Sequence, residues 1–185
     1  GPPLIEQAQT KLPGIHHAEN LMAALASGHA LNVEFDRMAA AVIDYTAPAN
    51  RCEFVRELDG VHWINDSKAT NLDSVEKAIL SQDRPIVLIA GGKDKGFEFD
   101  DIAPLVKERA RCAVLIGEMK DRIAASWATT PSQKAVTLEE AVALARAAAQ
   151  PGDVVLFSPG TSSFDMFKNY GERGNLFKAA VKALA

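Results

Sequence analysis

Long apolar runs are missing from this 185-residue chain: none approaches the ~20 residues of a membrane-spanning helix. The opening Gly1-Pro2-Pro3-Leu4-Ile5-Glu6 also lacks the basic and apolar regions of a signal peptide, so a cytoplasmic protein is expected. Cysteine is scarce, with only Cys52 and Cys112, each in apolar or strand-like surroundings; buried thiols are expected in place of a disulfide or a reactive pair. Charge of one sign is not in excess. Twenty basic against 24 acidic residues leave a net charge of -4, which provides no broad field for nucleic acid or an anionic membrane. Any anion must therefore be met locally. The four histidines, at 16, 17, 29 and 62, form no metal-ligand spacing and stand far from any serine motif, so neither a metal site nor a Ser-His-Asp triad is expected.

What is present describes an ordinary globular chain. At 48% hydrophobic and 24% charged residues it can bury a sizeable core, and disorder is excluded as the main state. Its length exceeds the usual single-domain size, which suggests one domain plus an appendage. Helical spacing of apolar residues runs over 18–30 (Leu21, Ala24, Leu25, Gly28) and 33–45 (Val33, Met38, Val42, Ile43). Thr46-Ala47-Pro48-Ala49-Asn50 then breaks the pattern and marks a boundary, giving a helical pair over 1–48 and a second unit over 49–185.

The second unit alternates strands and helices. Strands are predicted over 51–58 and 61–65 around the hairpin dipeptide Asp59-Gly60, over 85–90, 113–116 and 154–157, and briefly at Val136. Helices are predicted over 71–80, 100–109, 120–128, 137–149 and 177–184, the fourth opened by a capping box of Thr137 with Glu140. Apolar strands spaced by helices imply an α/β fold: a Rossmann-like, mostly parallel sheet with helices on both faces.

In such a sheet ligands bind beyond the carboxyl ends of the strands, and three polar clusters fall there. Asn65-Asp66-Ser67-Lys68-Ala69-Thr70-Asn71 leads into a helix that Thr70 or Asn71 can cap, leaving amides and Lys68 for an anion. Gly91-Gly92-Lys93-Asp94-Lys95-Gly96 lets backbone approach a ligand closely and supplies two lysines, but Phe97-Glu98 follow where a Walker A motif needs Lys and Ser or Thr. No G-x-G-x-x-G fingerprint exists either, which gives dinucleotide binding little support. Ser158-Pro159-Gly160-Thr161-Ser162-Ser163-Phe164-Asp165 groups hydroxyls suited to an anion; without a closing glycine or a nearby histidine it is no nucleophile elbow.

Together with Asp165-Met166-Phe167-Lys168-Asn169-Tyr170 and Glu172-Arg173-Gly174, these three clusters resemble the C-terminal domain of the Mur ligase family. Leu12-Pro13-Gly14-Ile15-His16-His17 with Asn20-Leu21-Met22-Ala23-Ala24-Leu25 is similar to the segment closing that family's central ATPase domain, so the helical pair would be a remnant of it. The resemblance implies a ligase that uses ATP and Mg2+ to make an acyl phosphate on UDP-N-acetylmuramoyl-L-alanine, which the amine of D-glutamate attacks. It implies that Asn20 meets adenine, that Arg51 and Asp66 meet the nucleotide, chiefly its ribose, and that Lys68, Thr70, Lys95, Ser163 and Tyr170 hold D-glutamate. Two positions depart from the family pattern: His17 stands where Asn is usual, and Pro159-Gly160-Thr161-Ser162 where Pro-Ala-Cys-Ala is common. The family's P-loop, metal ligands and modified lysine have no counterpart in the sequence, so the chain by itself is expected to be inactive, and a monomer. A ligase adding another amino acid, such as L-glutamate, and a stand-alone nucleotide or amino-acid binding module are the alternatives.

Overall fold

The computed structural model describes residues 5–10, 15–46 and 48–185. Leu12-Pro13-Gly14, the start at 1–4 and Ala47 of the boundary turn lie outside the described residues. The chain divides into two compact units, 1–48 and 49–185.

In the first unit, α1 (Ile15–Ala30) and α2 (Phe35–Asp44) form a helical pair. Asn32, in the left-handed region at φ 56°, ends α1. The amide of Asn32 donates to His29 O and that of Val33 to Gly28 O, which satisfies carbonyls the last turn would otherwise leave free. Gly28 has a second use: a Cβ there would collide with the Met38 side chain of α2.

The second unit is built on a six-stranded sheet in the order β1-β2-β6-β3-β4-β5. The strands are β1 (Glu53–Leu58), β2 (Val61–Asn65), β3 (Ile86–Gly91), β4 (Ala110–Ile116), β5 (Ser132–Lys134) and β6 (Val154–Phe157). Only the β1–β2 hairpin is antiparallel; the other pairings are parallel. Its turn places Asp59 at φ 54° and Gly60 at φ 76°, the doubly left-handed turn that matches strand twist. The helices are α3 (Leu72–Leu80), α4 (Ala103–Arg109), α5 (Lys120–Ser126), α6 (Leu138–Ala148) and α7 (Tyr170–Ala183).

Both faces of the sheet are covered because the central strands are apolar at every position. Ile86, Leu88, Ala113, Leu115, Val154 and Leu156 pack with Val75 and Ile79 of α3, Val106 of α4 and Ile123 of α5. The alternate residues Val87, Ile89, Val114, Ile116, Val155 and Phe157 pack on the opposite side with Leu138 and Val142 of α6 and Phe177 and Val181 of α7. This period-two division is the strand pleat expressed as two cores.

Two predicted elements are corrected. The strand expected at Val136 runs instead over Ser132–Lys134, and Val136 is 71% exposed. β5 is an edge strand whose three side chains are all exposed, so its polar sequence carries no apolar signature. The last helix starts at Tyr170, seven residues before the predicted Phe177. Its opening turns are specified by a cap, not by an apolar stripe: Asn169 accepts from the Glu172 amide, and Glu172 accepts in return from the Lys168 amide.

Candidate functional site

β2, β6 and β3 are neighbours, and Asn65, Phe157 and Ile89 stand in register across them. The three polar loops therefore leave the sheet side by side, at one height. Backbone hydrogen bonds join them: Asp66 N to Phe157 O, Gly160 N to Ala69 O, Gly91 N to Pro159 O, and Lys93 N to Ser162 O. The last belongs to an isolated antiparallel bridge between the second and third loops. Close approach requires glycine at 92, where φ is 143° and a Cβ would strike Ser162 O and Thr161 Oγ1.

The first loop is fastened from below. Asn71 caps α3, accepting from the Ser74 amide at 2.8 Å, and Asn65 Oδ1 accepts from the Ser67 amide at 3.2 Å. Arg173, with no exposed surface, lies beneath the first and third loops. Its Nε donates to Ser67 Oγ at 3.0 Å, one terminal nitrogen donates to Ser67 O at 2.8 Å, and both terminal nitrogens reach Thr161 O at 3.2 Å. Ser67 Oγ in turn donates to Tyr170 O at 2.8 Å. Burial lowers the Arg173 pKa to about 10, against the nearby charge of Asp165, so the group stays a cation at neutral pH.

Among the residues expected to hold the amino acid, Lys95 and Thr70 meet directly: Lys95 Nζ donates to Thr70 O at 3.1 Å. Lys95 also lies 5.2 Å from the centre of the Phe97 ring. Lys68 Nζ lies 6.0 Å from the centre of the Tyr170 ring, whose residue is 40% exposed. Ser163 is buried, and its carbonyl accepts from the Met166 and Phe167 amides in the turn that follows. All five thus stand on the three joined loops or at the start of α7.

Of the residues expected at the nucleotide, Asp66 is 4% exposed. Its Oδ2 accepts from Ser158 Oγ at 2.8 Å and its Oδ1 from the Cys52 amide at 3.2 Å. Burial pushes its pKa up to about 6, against the opposing pull of the Ser158 hydroxyl, the Cys52 amide and the Arg51 charge. Arg51 is exposed, on a turn between two left-handed residues, Asn50 at φ 66° and Cys52 at φ 42°. That turn is braced by Glu53, whose Oε2 accepts from the Asn50 amide and from Asn65 Nδ2, and by Lys178, which reaches Glu53 at 3.0 Å. Burial also raises the Cys52 thiol pKa, with the Asp66 charge adding to the effect, so this thiol stays protonated. Asn20 lies on α1 in the first unit.

Several residues here were not singled out from sequence. In sequence Ser67 and Ser158 are only members of polar runs, and Asn50 only turn chemistry. Arg173 stands in sequence only as part of a motif, with no role to be read, because its partners lie up to 106 residues away.

A doubly wound sheet with polar loops over its central carboxyl ends is the frame of a ligand-binding α/β domain. The family described as "Mur ligase, glutamate ligase domain" matches residues 50–161, and the chain belongs to it. The UDP-N-acetylmuramoylalanine--D-glutamate ligase of Geotalea uraniireducens is 50% identical over 182 residues, covering 98% of this chain and 40% of that protein. The ligase of the same name from Pseudomonas fluorescens is 46% identical over 187 residues, covering 98% of this chain and 42% of its own length. The chain thus spans about 40% of the length of the curated relatives it matches. Among solved structures, UDP-N-acetylmuramate-alanine ligase from Thermotoga maritima superposes with a TM-score of 0.69 at 16% identity, covering 94% of this chain and 39% of that one. A pseudomurein peptide ligase type C from Methanothermus fervidus gives 0.64 at 22% identity, over 82% of this chain and 34% of its own. At these identities the structures show the shared fold.

Proposed function

We propose that this chain is the amino-acid-binding part of a cytoplasmic, ATP-dependent ligase that joins D-glutamate to UDP-N-acetylmuramoyl-L-alanine. The observation that carries the proposal is the joining of three loops on one rim, where Lys95 touches Thr70 and Lys68 faces Tyr170. The relatives named as D-glutamate ligases, at 50% identity over nearly the whole chain, support the same choice of amino acid.

In the proposed reaction the alanyl carboxylate attacks the γ-phosphorus of ATP, releasing ADP and leaving an acyl phosphate. The amine of D-glutamate attacks the acyl carbon, the carbon–oxygen bond to phosphate breaks, and the amine proton passes to solvent. The contribution of this chain is placement. Lys95 and Lys68 pair with the two carboxylates of glutamate while Thr70, Ser163 and Tyr170 complete the hydrogen bonds, so that the uncharged amine faces the acyl carbon. Lysine ammonium groups cannot take a proton from the amine; they orient it. Arg51 and Asp66 act at the ribose, with Asn20 at the adenine, and the monomer is the working unit.

Among the described residues no three His, Cys, Asp or Glu side chains gather to hold a metal ion. Mg2+ commonly takes only one or two carboxylates beside the phosphates of its nucleotide, so in the proposed reaction it would travel with ATP, while the residues of this chain act on the amino acid and the ribose. The test is a phosphate-release assay on the intact ligase containing this domain, with ATP and UDP-N-acetylmuramoyl-L-alanine present. D-glutamate should stimulate release and L-glutamate should not; stimulation by L-glutamate alone, or by neither, contradicts the proposal.

A further inference from the structure

The loop that carries Lys95 has little to hold it at its tip: Gly96 sits at φ 74°, and a Cβ there would meet nothing within 4 Å. Its internal support is a turn in which the Gly96 amide donates to Asp94 Oδ1 at 2.8 Å. Lys93 bridges to Ser162 before it and Phe97 packs against the core after it, and the charged and polar support between them comes from α5. Arg122 donates to both carboxylate oxygens of Glu98 at 3.0 Å, to Phe97 O at 3.3 Å and to Asp94 Oδ2 at 3.5 Å. At the end of the same helix Ser126 donates to Asp100 at 3.3 Å, and Trp127, which follows it, donates its Nε1 to Phe99 O at 3.0 Å. One helix edge thus grips consecutive residues of the segment that follows Lys95, and Arg122 alone reaches both sides of the lysine.

From this geometry we infer that Arg122 is a positioning residue for the amino acid: it holds the 94–98 loop so that Lys95 is set against Thr70 before the ligand arrives. The inference rests on the reading of Lys95 as a glutamate ligand. Between the flanks fixed by Lys93 and Phe97, a four-carbon lysine stem on a glycine-tipped loop without this clamp samples more positions, and ordering it on binding costs affinity. Arg122, which is 40% exposed, makes contacts that are weak one by one, but four of them, to three residues, converge on one planar fork. Its charge does not act on the ligand in this scheme, because Asp94 and Glu98 already take it up.

The test uses the chain itself, with 15N order parameters for residues 94–98 and D-glutamate titrations on wild type, Arg122→Ala, Arg122→Lys and Lys95→Ala. In Arg122→Ala the order parameters of the loop should fall from about 0.85 to below about 0.6 while β3 stays rigid. The dissociation constant for D-glutamate should rise roughly three- to tenfold, with Arg122→Lys lying between. Unchanged order parameters would overturn the clamp. Affinity unchanged in Arg122→Ala but lost in Lys95→Ala would keep the glutamate site and overturn the positioning role. Affinity restored by Arg122→Lys without restored order would assign Arg122 to charge and also overturn it. Affinity unchanged in Lys95→Ala would overturn the reading of the site itself, and the inference with it.

Discussion

Arg173 and Ser67 are 106 residues apart in sequence, yet Arg173 Nε lies 3.0 Å from Ser67 Oγ, and the same guanidinium reaches the carbonyls of Ser67 and Thr161. One buried cation thereby joins the loop after β2 to the loop after β6. Burying a charge is costly, and the hydrogen bonds that the guanidinium makes to both loops offset that cost.

Arg173→Ala should lower stability by about 3–5 kcal/mol, because it leaves two buried carbonyls without donors and a void beneath both loops. Urea denaturation measures the change. Arg173→Lys should lose less, since it restores the charge and part of the hydrogen bonding. A loss below about 1 kcal/mol for the alanine variant would mean that water replaces the guanidinium freely.

Gly92→Ala tests the crossing of the second and third loops. Its backbone lies at φ 143°, and the added methyl would strike Ser162 O and Thr161 Oγ1. A loss of about 2 kcal/mol or more is expected from strain and displacement together, read from the same denaturation curves. Gly96→Ala, with open space around it, should cost less.

Asp66 has a pKa of about 6 in the fold, above its ordinary 3.8. The folded chain therefore binds the Asp66 proton more tightly than the unfolded chain does. This contribution to stability is fully present below about pH 4 and is lost as the pH rises through about 6. The shift corresponds to a loss on the order of 3 kcal/mol. Following the Asp66 carboxyl carbon by NMR should give a midpoint near pH 6. A midpoint at or below 4 would contradict the burial described here.

Lys95→Ala in the intact ligase should raise the KM for D-glutamate roughly ten- to a hundredfold while the KM for ATP stays within about threefold, as loss of a charge-assisted hydrogen bond to one substrate predicts. Initial-rate kinetics in both substrates check it. A selective rise for ATP would move this loop to the nucleotide.

The fold was legible where local signals agree with tertiary packing. The uninterrupted apolar strands, the Asp59-Gly60 turn and the Thr137–Glu140 cap each specify their element within a few residues, and Glu140 does donate its amide to Thr137 Oγ1. Asn169 and Glu172 form the same cap, but Arg173 and Gly174 follow it, so no apolar stripe revealed the helix until Phe177. β5 carries no apolar signal, because Ser132–Lys134, on the sheet edge, needs no buried side chain. The three loops of the site were visible as polar runs ending apolar strands. Their bracing was not: the partners of Arg173 and the grip of Arg122 are set by topology, and residue spacing holds no record of either. The burial of Asp66 was likewise hidden, since a carboxylate at a strand end looks solvated until Ser158 and the Cys52 amide are seen to enclose it.

The central claim is that the three joined loops form the D-glutamate site, and an NMR titration of the 15N-labelled chain with D-glutamate tests it most directly. Without the rest of a ligase around it the site should bind weakly, in the range of millimolar ligand, because exposed lysines gain about 1 kcal/mol or less from a carboxylate. The account predicts shifts confined to residues 66–71, 92–97 and 158–170, larger with D-glutamate than with L-glutamate. Shifts elsewhere on the chain, or none at saturating ligand, would contradict it.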